Sequence, residues 1–250
     1  MIKKYPIFFY LISVISLLSL IISCRKEEVI TTPGVADLKA NPVLIDLIQK
    51  ITLHDGSYDN IIDRANCFSV KLPVTVIVDG TTVTVNTTAD YDQIKSILEA
   101  SEHDEDKVEI VFPVTIVLSD YTEVFIANQD QLDSYRDTCN GENEADDDIE
   151  CVDINFPITI NTYNSVTNAT NIITIDSDEA LYHFVEAIDN YESASLDFPI
   201  VVTLYDGTEY TANSIEELKD TIEAYKDLCN EDDNYNYEDD HCDDCSEDDD

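Results

Sequence analysis

Cysteine and carboxylate side chains are the residues of this sequence whose number and spacing could do chemistry. The 250 residues include seven Cys and 54 Asp or Glu, against 13 Lys or Arg and four His, and the formal net charge is −41 at pH 7. Carboxylate oxygens are ligands for hard cations such as Ca²⁺. The charge excludes direct nucleic-acid binding, because that binding needs basic side chains to displace counterions from phosphates. It also argues against adsorption to anionic lipid surfaces.

Two runs of the chain concentrate the acidic residues. Residues 140–150 hold six of them and residues 231–250 hold twelve. Blocks of like charge repel one another and stay solvated, so we predict an acidic linker over 140–150 and an acidic disordered tail over 230–250. The linker does not have the spacing of an EF-hand loop, since its one glycine, Gly141, precedes the acids. We therefore expect no cofactor and no defined metal ligands, only weak diffuse Ca²⁺ binding, with an ordered calcium site as the alternative.

No catalytic constellation is recognisable. The nucleophile-elbow, zinc-protease, P-loop and dinucleotide-binding motifs are all missing from the sequence. Carboxylate pairs are so frequent that none stands out as the acid and base of a glycosidase. The four histidines are scattered along the chain, at His54, His103, His183 and His241. The sequence therefore predicts a protein that is not an enzyme.

The N-terminus reads as a targeting signal. Residues 1–23 have the pattern of a secretory signal peptide, with two lysines before an apolar run that is short for a membrane span. The run ends in Ile21-Ile22-Ser23-Cys24, which resembles the lipobox of bacterial lipoproteins and implies lipidation of Cys24. Arg25-Lys26-Glu27-Glu28 resembles the export signal of surface lipoproteins in the Bacteroidetes. The resemblance implies a lipid anchor in the outer membrane and exposure on the cell surface, with an uncleaved anchor helix as the alternative.

The segment after the lipidated cysteine joins this anchor to the body of the protein. Residues 24–42 contain few core-forming side chains and are predicted to be a tether. Residues 43–66 are predicted to form a short helix and a turn. Apolar side chains recur at helical spacing from Val43 to Ile51, Asn41 is a possible cap, and Pro42 suits the first helical position.

The body of the chain is an internal repeat. An apolar residue followed by proline recurs at Leu72, Phe112, Phe156 and Phe198, at spacings of 40, 44 and 42 residues. Each pair opens a stretch of β-branched residues alternating at period two, then a turn such as Asp79-Gly80, and then a second strand. Proline has no backbone N–H to donate to a neighbouring strand, so we expect it at a sheet edge or bulge. Helical periodicity follows in each copy, and the predicted N-caps in three of them are Asn128, Asp176 and Asn213.

Each repeat is therefore a ββα unit, and the units are expected to work in pairs. One unit of about 40 residues buries too little apolar surface to be stable alone. We predict an α+β fold of two tandem domains, 67–139 and 151–229. Each would contain two ββα units, with a mainly antiparallel sheet and helices packed on one face.

The cysteines support this pairing of units. Apart from Cys24, six remain, and an even number in an exported protein favours disulfides. One cysteine precedes and one closes each predicted domain, so the repeat favours three pairs: Cys67 with Cys139, Cys151 with Cys229, and Cys242 with Cys245. The alternative is that some of these thiols are free or metal-bound. Redox or zinc chemistry at Cys242 and Cys245 is disfavoured, because neighbouring carboxylates raise thiol pKa values.

Several stretches resemble a group of uncharacterised flavobacterial surface lipoproteins. They include Asp55–Asn60, Cys67-Phe68-Ser69, Leu72–Val76, the later Phe-Pro-Val/Ile-Thr units and the Asp-rich tail. The resemblance implies location and architecture, and no catalytic residue follows from it. We therefore expect a non-enzymatic surface lipoprotein with a binding or structural role, such as adhesion or envelope organisation. The alternatives are capture of a glycan or nutrient, or divalent-cation binding, and an extracellular protein or glycan is a possible partner.

Overall fold

The computed structural model describes residues 36–100, 107–139 and 148–229. These residues form six α-helices: α1 (Pro42–Ile51), α2 (Asn60–Asp63), α3 (Tyr91–Glu99), α4 (Gln129–Arg136), α5 (Asp178–Glu186) and α6 (Ile215–Tyr225). They also form twelve strands: β1 (Phe68–Val70), β2 (Val74–Val78), β3 (Thr81–Val85), β4 (Val108–Ile110), β5 (Val114–Leu118), β6 (Glu123–Ile126), β7 (Val152–Ile154), β8 (Ile158–Asn164), β9 (Ala169–Ile175), β10 (Ser193–Leu196), β11 (Ile200–Leu204) and β12 (Glu209–Ala212). Among the described residues, no helix is long and apolar enough to cross a membrane. The predicted signal peptide, Cys24 and the tail from residue 230 onward lie outside them.

The strands form four small sheets of three strands, and every strand pair is antiparallel. The α+β class predicted from the sequence is therefore confirmed. A strand that follows an apolar-proline pair lies at the centre of each sheet, in the orders β3-β2-β4, β1-β5-β6, β10-β8-β9 and β12-β11-β7. In β2, Val74, Val76 and Val78 are buried and the residues between them are half-buried, as the period-two pattern predicts.

The third strand of each sheet is a short leading strand that the sequence analysis missed. These strands, β1, β4, β7 and β10, have only three or four residues, too few for a periodic pattern. Each one pairs with the hairpin of the other repeat in its half of the chain: β1 with β5, β4 with β2, β7 with β11, and β10 with β8. The two repeats of each half therefore exchange strands. We call residues 67–139 the first half and residues 151–229 the second half.

One hydrogen bond recurs at all four exchanges. The residue just before each apolar-proline pair donates its N–H to a carbonyl of the central strand of the other repeat. The four bonds are Lys71 to Thr115 (2.8 Å), Val111 to Thr75 (2.9 Å), Asn155 to Val201 (2.9 Å) and Asp197 to Thr159 (2.9 Å). The apolar-proline pair therefore marks the place where the chain leaves one sheet and enters the next. The peptide bond before each of these four prolines is cis.

Turn chemistry closes the first hairpin as predicted. Asp79 and Gly80 both have positive φ, at 46° and 81°, which is the conformation that a two-residue type I′ turn requires. Such a turn matches the right-handed twist of the flanking strands β2 and β3.

Serine, rather than the residue before it, caps two of the helices. Asn128 caps α4 as predicted, and its side chain accepts from the N–H of Gln131. The predictions of Asp176 and Asn213 were wrong by one residue, because Ser177 caps α5 and Ser214 caps α6. A serine hydroxyl at the cap reaches the N–H three residues later.

The buried apolar side chains form two clusters. The residues of the first cluster come from the stretch of chain from Ile61 to Leu132. Most residues of the second come from the stretch from Ile149 to Ile222, and the others precede residue 52. Four buried residues of α1, Leu44, Leu47, Ile48 and Ile51, belong to the second cluster, where the helix contacts α5 and α6. The helix therefore completes the core of the second half, although it precedes the first half in the chain.

The chain from residue 52 to residue 66 then crosses to the first half. This part was predicted as a turn, but it contains a 3-10 helix, Ser57–Asp59, and the short helix α2. The last residues of the predicted acidic linker are also packed. Ile149 is only 6% exposed, and its N–H donates to the Lys50 carbonyl at 3.1 Å. The described residues all belong to one compact unit, Gly34–Asp250.

Each half is closed by one disulfide, which joins its first residue to its last. Cys67 is bonded to Cys139 with a Cα–Cα distance of 5.6 Å, and Cys151 to Cys229 with one of 5.3 Å. These are the two long bridges that the repeat favours. Cys242 and Cys245 lie outside the described residues, so their pairing stays a prediction.

We predict that Leu44→Ala destabilises the second half. Leu44 is fully buried, and a large-to-small substitution in a core costs about 2–5 kcal/mol of the free energy of unfolding. Urea unfolding followed by circular dichroism measures the loss, and hydrogen exchange locates it. The matched control is Val43→Ala in the same helix, where the side chain is 54% exposed. Equal effects of the two substitutions, or lost protection only in the first half, would contradict the packing of α1.

Candidate functional site

Three carboxylates from two separated segments meet where the chain passes between its halves. One oxygen from each of Asp55, Asp148 and Glu150 lies within 4.8 Å of the other two, and all three residues are half-buried. Asp55 follows α1, while Asp148 and Glu150 precede β7. Carboxylate oxygens at this spacing can share one hard cation, for which Ca²⁺ has suitable ligand chemistry.

Local hydrogen bonds hold Asp55 in place. Its Oδ1 accepts from the backbone N–H of Ser57 at 2.7 Å and lies 2.6 Å from the Ser57 hydroxyl. That hydroxyl also lies 3.3 Å from Oε1 of Glu150. Gly56, between Asp55 and Ser57 in the chain, has no room for a side chain, because a Cβ there would lie 2.4 Å from the backbone nitrogen of Phe68. The Asp55-Gly56-Ser57 turn is therefore fixed against β1 and brings one carboxylate to the site.

Burial of Ile149 brings the other two carboxylates. Its side chain lies in the second core cluster, and its N–H is bonded to the carbonyl of Lys50 at the end of α1. Asp148 and Glu150, on either side of it in the chain, are thereby held near the loop that carries Asp55. The acidic character of the linker and the position of Ile149 within it together create the cluster.

The carboxylates line a cavity of about 380 Å³. Its acidic lining residues are Asp55, Asp148, Glu150, Asp153 and Asp178, and its aromatic lining includes His54, Tyr58 and Tyr121. Burial raises the pKa of Asp153, and burial together with the nearby charge of Asp153 raises the pKa of Asp178. The charged forms of Asp153 and Asp178 are therefore disfavoured, and a cation bound in this cavity would relieve that cost.

Tyr121 connects the two halves beside this cavity. It lies in the turn between β5 and β6 with φ of 63°, and its hydroxyl donates to the Thr52 carbonyl at 3.0 Å. Its ring centroid lies 5.4 Å from that of His54, 5.6 Å from Tyr182 and 5.9 Å from His183. Because Tyr182 and His183 belong to α5, the aromatic cluster joins the first half to the second.

A histidine and a serine form a hydrogen bond next to the cluster. His54 Nε2 lies 2.6 Å from the Ser69 hydroxyl, which also accepts from the Tyr58 hydroxyl at 3.0 Å. Burial lowers the pKa of His54, so its ring favours the neutral form. The residue types are those of nucleophilic catalysis, but Ser69 is fully buried and a substrate cannot reach its hydroxyl. The bond instead ties the loop after α1 to β1.

A pair of buried carboxyls lies in the crossing segment 52–66, where this segment packs against the first half. Asp59 and Asp63 are both fully buried. Asp59 Oδ2 accepts from the N–H of Val70 at 2.7 Å, and Asp63 Oδ1 accepts from the N–H of Ala65 at 3.0 Å. The other oxygen of each carboxyl has no hydrogen-bond partner among the described residues. Burial raises the pKa of both well above the ordinary range, and the charge of Asp59 raises that of Asp63 further. The folded protein therefore favours protonated carboxyls at this pair.

The structure brings together residues that the sequence analysis did not select. The cysteines chosen from the sequence do not belong to the carboxylate cluster: 67, 139, 151 and 229 form the two disulfides, and 24, 242 and 245 lie outside the described residues. Asp148 and Glu150 were assigned to a solvated linker, and Asp55 to a turn. The only local signals were the Asp-Gly-Ser turn and the isolated Ile149 within an acidic run.

We predict that Asp59→Asn stabilises the protein near neutral pH and flattens its pH dependence. A raised folded-state pKa means that stability is fully present below the unfolded value near 3.8 and is lost as pH rises through the folded value. Removing one buried carboxyl should therefore raise the free energy of unfolding at pH 8 by at least about 1 kcal/mol, with no gain at pH 4. Urea unfolding at a series of pH values measures this.

The control for this prediction is Asp137→Asn, which removes an exposed carboxyl from the first half. Its unfolding profile should follow that of the unsubstituted protein at every pH. Parallel profiles for the unsubstituted protein and Asp59→Asn would show that the buried pair keeps its charge on folding.

Comparison of the chain with protein-family models, with curated proteins and with solved structures finds no match. The resemblance to flavobacterial lipoproteins therefore stays a prediction from the sequence. What the protein does has to be inferred from its own residues and geometry.

Proposed function

We propose that this protein is a non-enzymatic lipoprotein on the bacterial cell surface with a binding or structural role. The observation that carries the proposal is the lipobox-like ending of the N-terminal apolar run at Cys24. The following tether and the export-signal-like Lys26-Glu27-Glu28 agree with surface exposure. Adhesion and envelope organisation are the roles that fit an anchored chain of repeated small units.

The proposed architecture is two tandem domains on this tether, each made of two ββα units with the helices on one face. The two disulfides support an exported location, because such bonds persist in oxidising compartments. Each closes a loop of more than 70 residues, at sequence separations of 72 and 78. A bridge of that length stabilises a small domain by roughly 4 kcal/mol in the chain-entropy model.

A second function, divalent-cation binding, is favoured by one specific observation. Asp55, Asp148 and Glu150 place three carboxylate oxygens close enough to share an ion. Ca²⁺ fits best, because it accepts several oxygen ligands in flexible geometry, while Mg²⁺ demands near-ideal octahedral coordination. A Ca²⁺ ion here would fix the segment that enters the first half to the one that enters the second. The cation would then serve the structural role by holding the halves in one arrangement.

We predict that Cys24→Ser abolishes membrane retention. Lipid attachment requires the thiol, so the variant should appear in the soluble fraction of the producing bacterium, and mass spectrometry should find no diacylglyceryl adduct. Cys245→Ser is the control, and it should stay in the outer-membrane fraction and remain sensitive to protease added to whole cells. If Cys24→Ser is retained in the membrane as well as the control is, an uncleaved helix and not a lipid anchors the chain.

We predict that millimolar Ca²⁺ raises the melting temperature of the protein and that Glu150→Gln removes this effect. At a concentration one hundred times the dissociation constant, a ligand of the native state adds about 2.7 kcal/mol, or about 5–10 °C for a chain of this size. Glu192→Gln is the matched control, since it removes an exposed carboxylate outside the cluster.

Differential scanning calorimetry with Ca²⁺ and with Mg²⁺ measures the shifts. The proposal expects a larger shift for Ca²⁺ and an undiminished one for Glu192→Gln. An unchanged melting temperature, or equal shifts in both variants, would exclude cation binding at this cluster and leave the lipid-anchor proposal intact.

A further inference from the structure

The hairpin of β8 and β9 differs from the rest of this acidic chain in its charge. From Ile154 to Ile175 there is no Asp, Glu, Lys or Arg, although 27% of all residues are charged. Asn, Thr and Ile make up most of the segment. A charge-free surface is therefore concentrated in one hairpin.

β9 is an open edge of its sheet. The sheet order is β10-β8-β9, so within the part of the chain that the structure describes β9 has a partner on one side only. The opposite edge is covered, because Asp37 forms a bridge with Ser195 and the N–H of Leu196 donates to the Ala36 carbonyl at 3.1 Å. An open edge presents unpaired N–H and C=O groups that can pair with another strand.

The open edge also carries an exposed apolar side chain. Ile172, near the middle of β9, is 73% exposed, and the strand pairs with β8 over its full seven residues. Natural edge strands are normally protected by charges, proline or short length. None of these protections is found in β9.

The other outer hairpin strands of the described residues are less suited to strand pairing. Glu123 lies in β6 and Glu209 in β12, so a second copy placed there would bring like charges together. β3 is uncharged, but its exposed residues are all threonine: Thr81, Thr82 and Thr84. β9 is longer than all three and alone combines neutrality with an exposed isoleucine.

The charge of the protein points to the occupant of this edge. Two copies with a net charge of −41 each repel one another over most of their surfaces. They can approach closely only where neither brings a charge, and a second β9 is an uncharged, unpaired strand of equal length. A two-fold axis through Ile172 would place the two copies of Ile172 opposite each other. It would also place Thr170 of one copy opposite Thr174 of the other, so that all these side chains lie on the same face of the joined sheet.

We propose that this protein forms a homodimer in which β9 pairs antiparallel with β9 of a second copy. The two sheets then join into one continuous six-stranded sheet in the order β10-β8-β9-β9-β8-β10. The contact carries no charge, while the remaining surfaces of the two copies repel each other. Added salt screens that repulsion and therefore increases the affinity of the two copies.

Sedimentation equilibrium of the full chain, in a non-ionic detergent matched in density to the buffer, tests the dimer. The variant Ile172→Lys places a charge on β9, and Thr84→Lys places one at a matching solvent-facing position on β3. We expect a dissociation constant below about 100 μM for the unsubstituted chain, at least about tenfold weaker association for Ile172→Lys, and no such loss for Thr84→Lys. Circular dichroism melting verifies that both variants fold.

Each other outcome overturns the proposal. A monomer at all concentrations shows that the edge stays open or binds something other than a second copy. A dimer that survives Ile172→Lys shows that association occurs elsewhere, for example through the N-terminal apolar segment. Equal weakening by both lysines shows that the contact is not specific to β9, and weakening by added salt shows that it is electrostatic.

Discussion

The exchange of leading strands between paired repeats is the interaction on which the rest of this structure depends. A single ββα unit has a two-stranded hairpin and a short helix, and a two-stranded hairpin alone is marginally stable at best. Each of the four hairpins gains its third strand from the other repeat of its half. Neither repeat can therefore complete its sheet alone, and the two fold as a pair. The disulfides reinforce this arrangement, because each joins the start of one repeat to the end of its partner.

The candidate site is a consequence of how the chain connects these two paired structures. α1 packs on the second half, the chain then crosses to the first half, and residues 148–150 return it to the second. The crossing and the return lie side by side, since Ile149 is bonded to Lys50. Acidic residues on both segments are thereby forced together, and burial raises the pKa values of Asp153 and Asp178 in the same cavity. A binding site for a cation can arise in this way even though neither segment resembles a metal-binding loop.

The local features of the fold could be predicted from the sequence, and the features that depend on distant contacts could not. Period-two alternation identified the four hairpins, Asp79-Gly80 identified a turn, and α1 was recognised from its apolar spacing. The leading strands were missed, because three residues carry no periodic signal and only their partners define them. Asp55 and Glu150 were treated as turn and linker residues, because a sequence does not show that Ile149 is buried.

The structure also changes the interpretation of where the acidic residues of this protein lie. The sequence assigned the acidic runs to solvated spacers, yet the end of one run is packed and contributes two of the three clustered carboxylates. Asp59 and Asp63 carry acid into the core of the first half, where the protonated form is favoured. The hairpin of β8 and β9, by contrast, is free of charge. Besides the many exposed acids, carboxylates therefore occur at one junction and in one buried pair, and none lies in the hairpin of β8 and β9.

Amide hydrogen exchange at the residues that directly follow the leading strands tests the central claim of strand exchange most directly. The informative amides are those of Lys71, Val111, Asn155 and Asp197, each bonded to a central strand of the other repeat. If the repeats exchange strands, these four amides are as strongly protected as those of β2, β5, β8 and β11. If they exchange as fast as exposed loops while the hairpins stay protected, the sheets have two strands and the account of paired repeats is wrong.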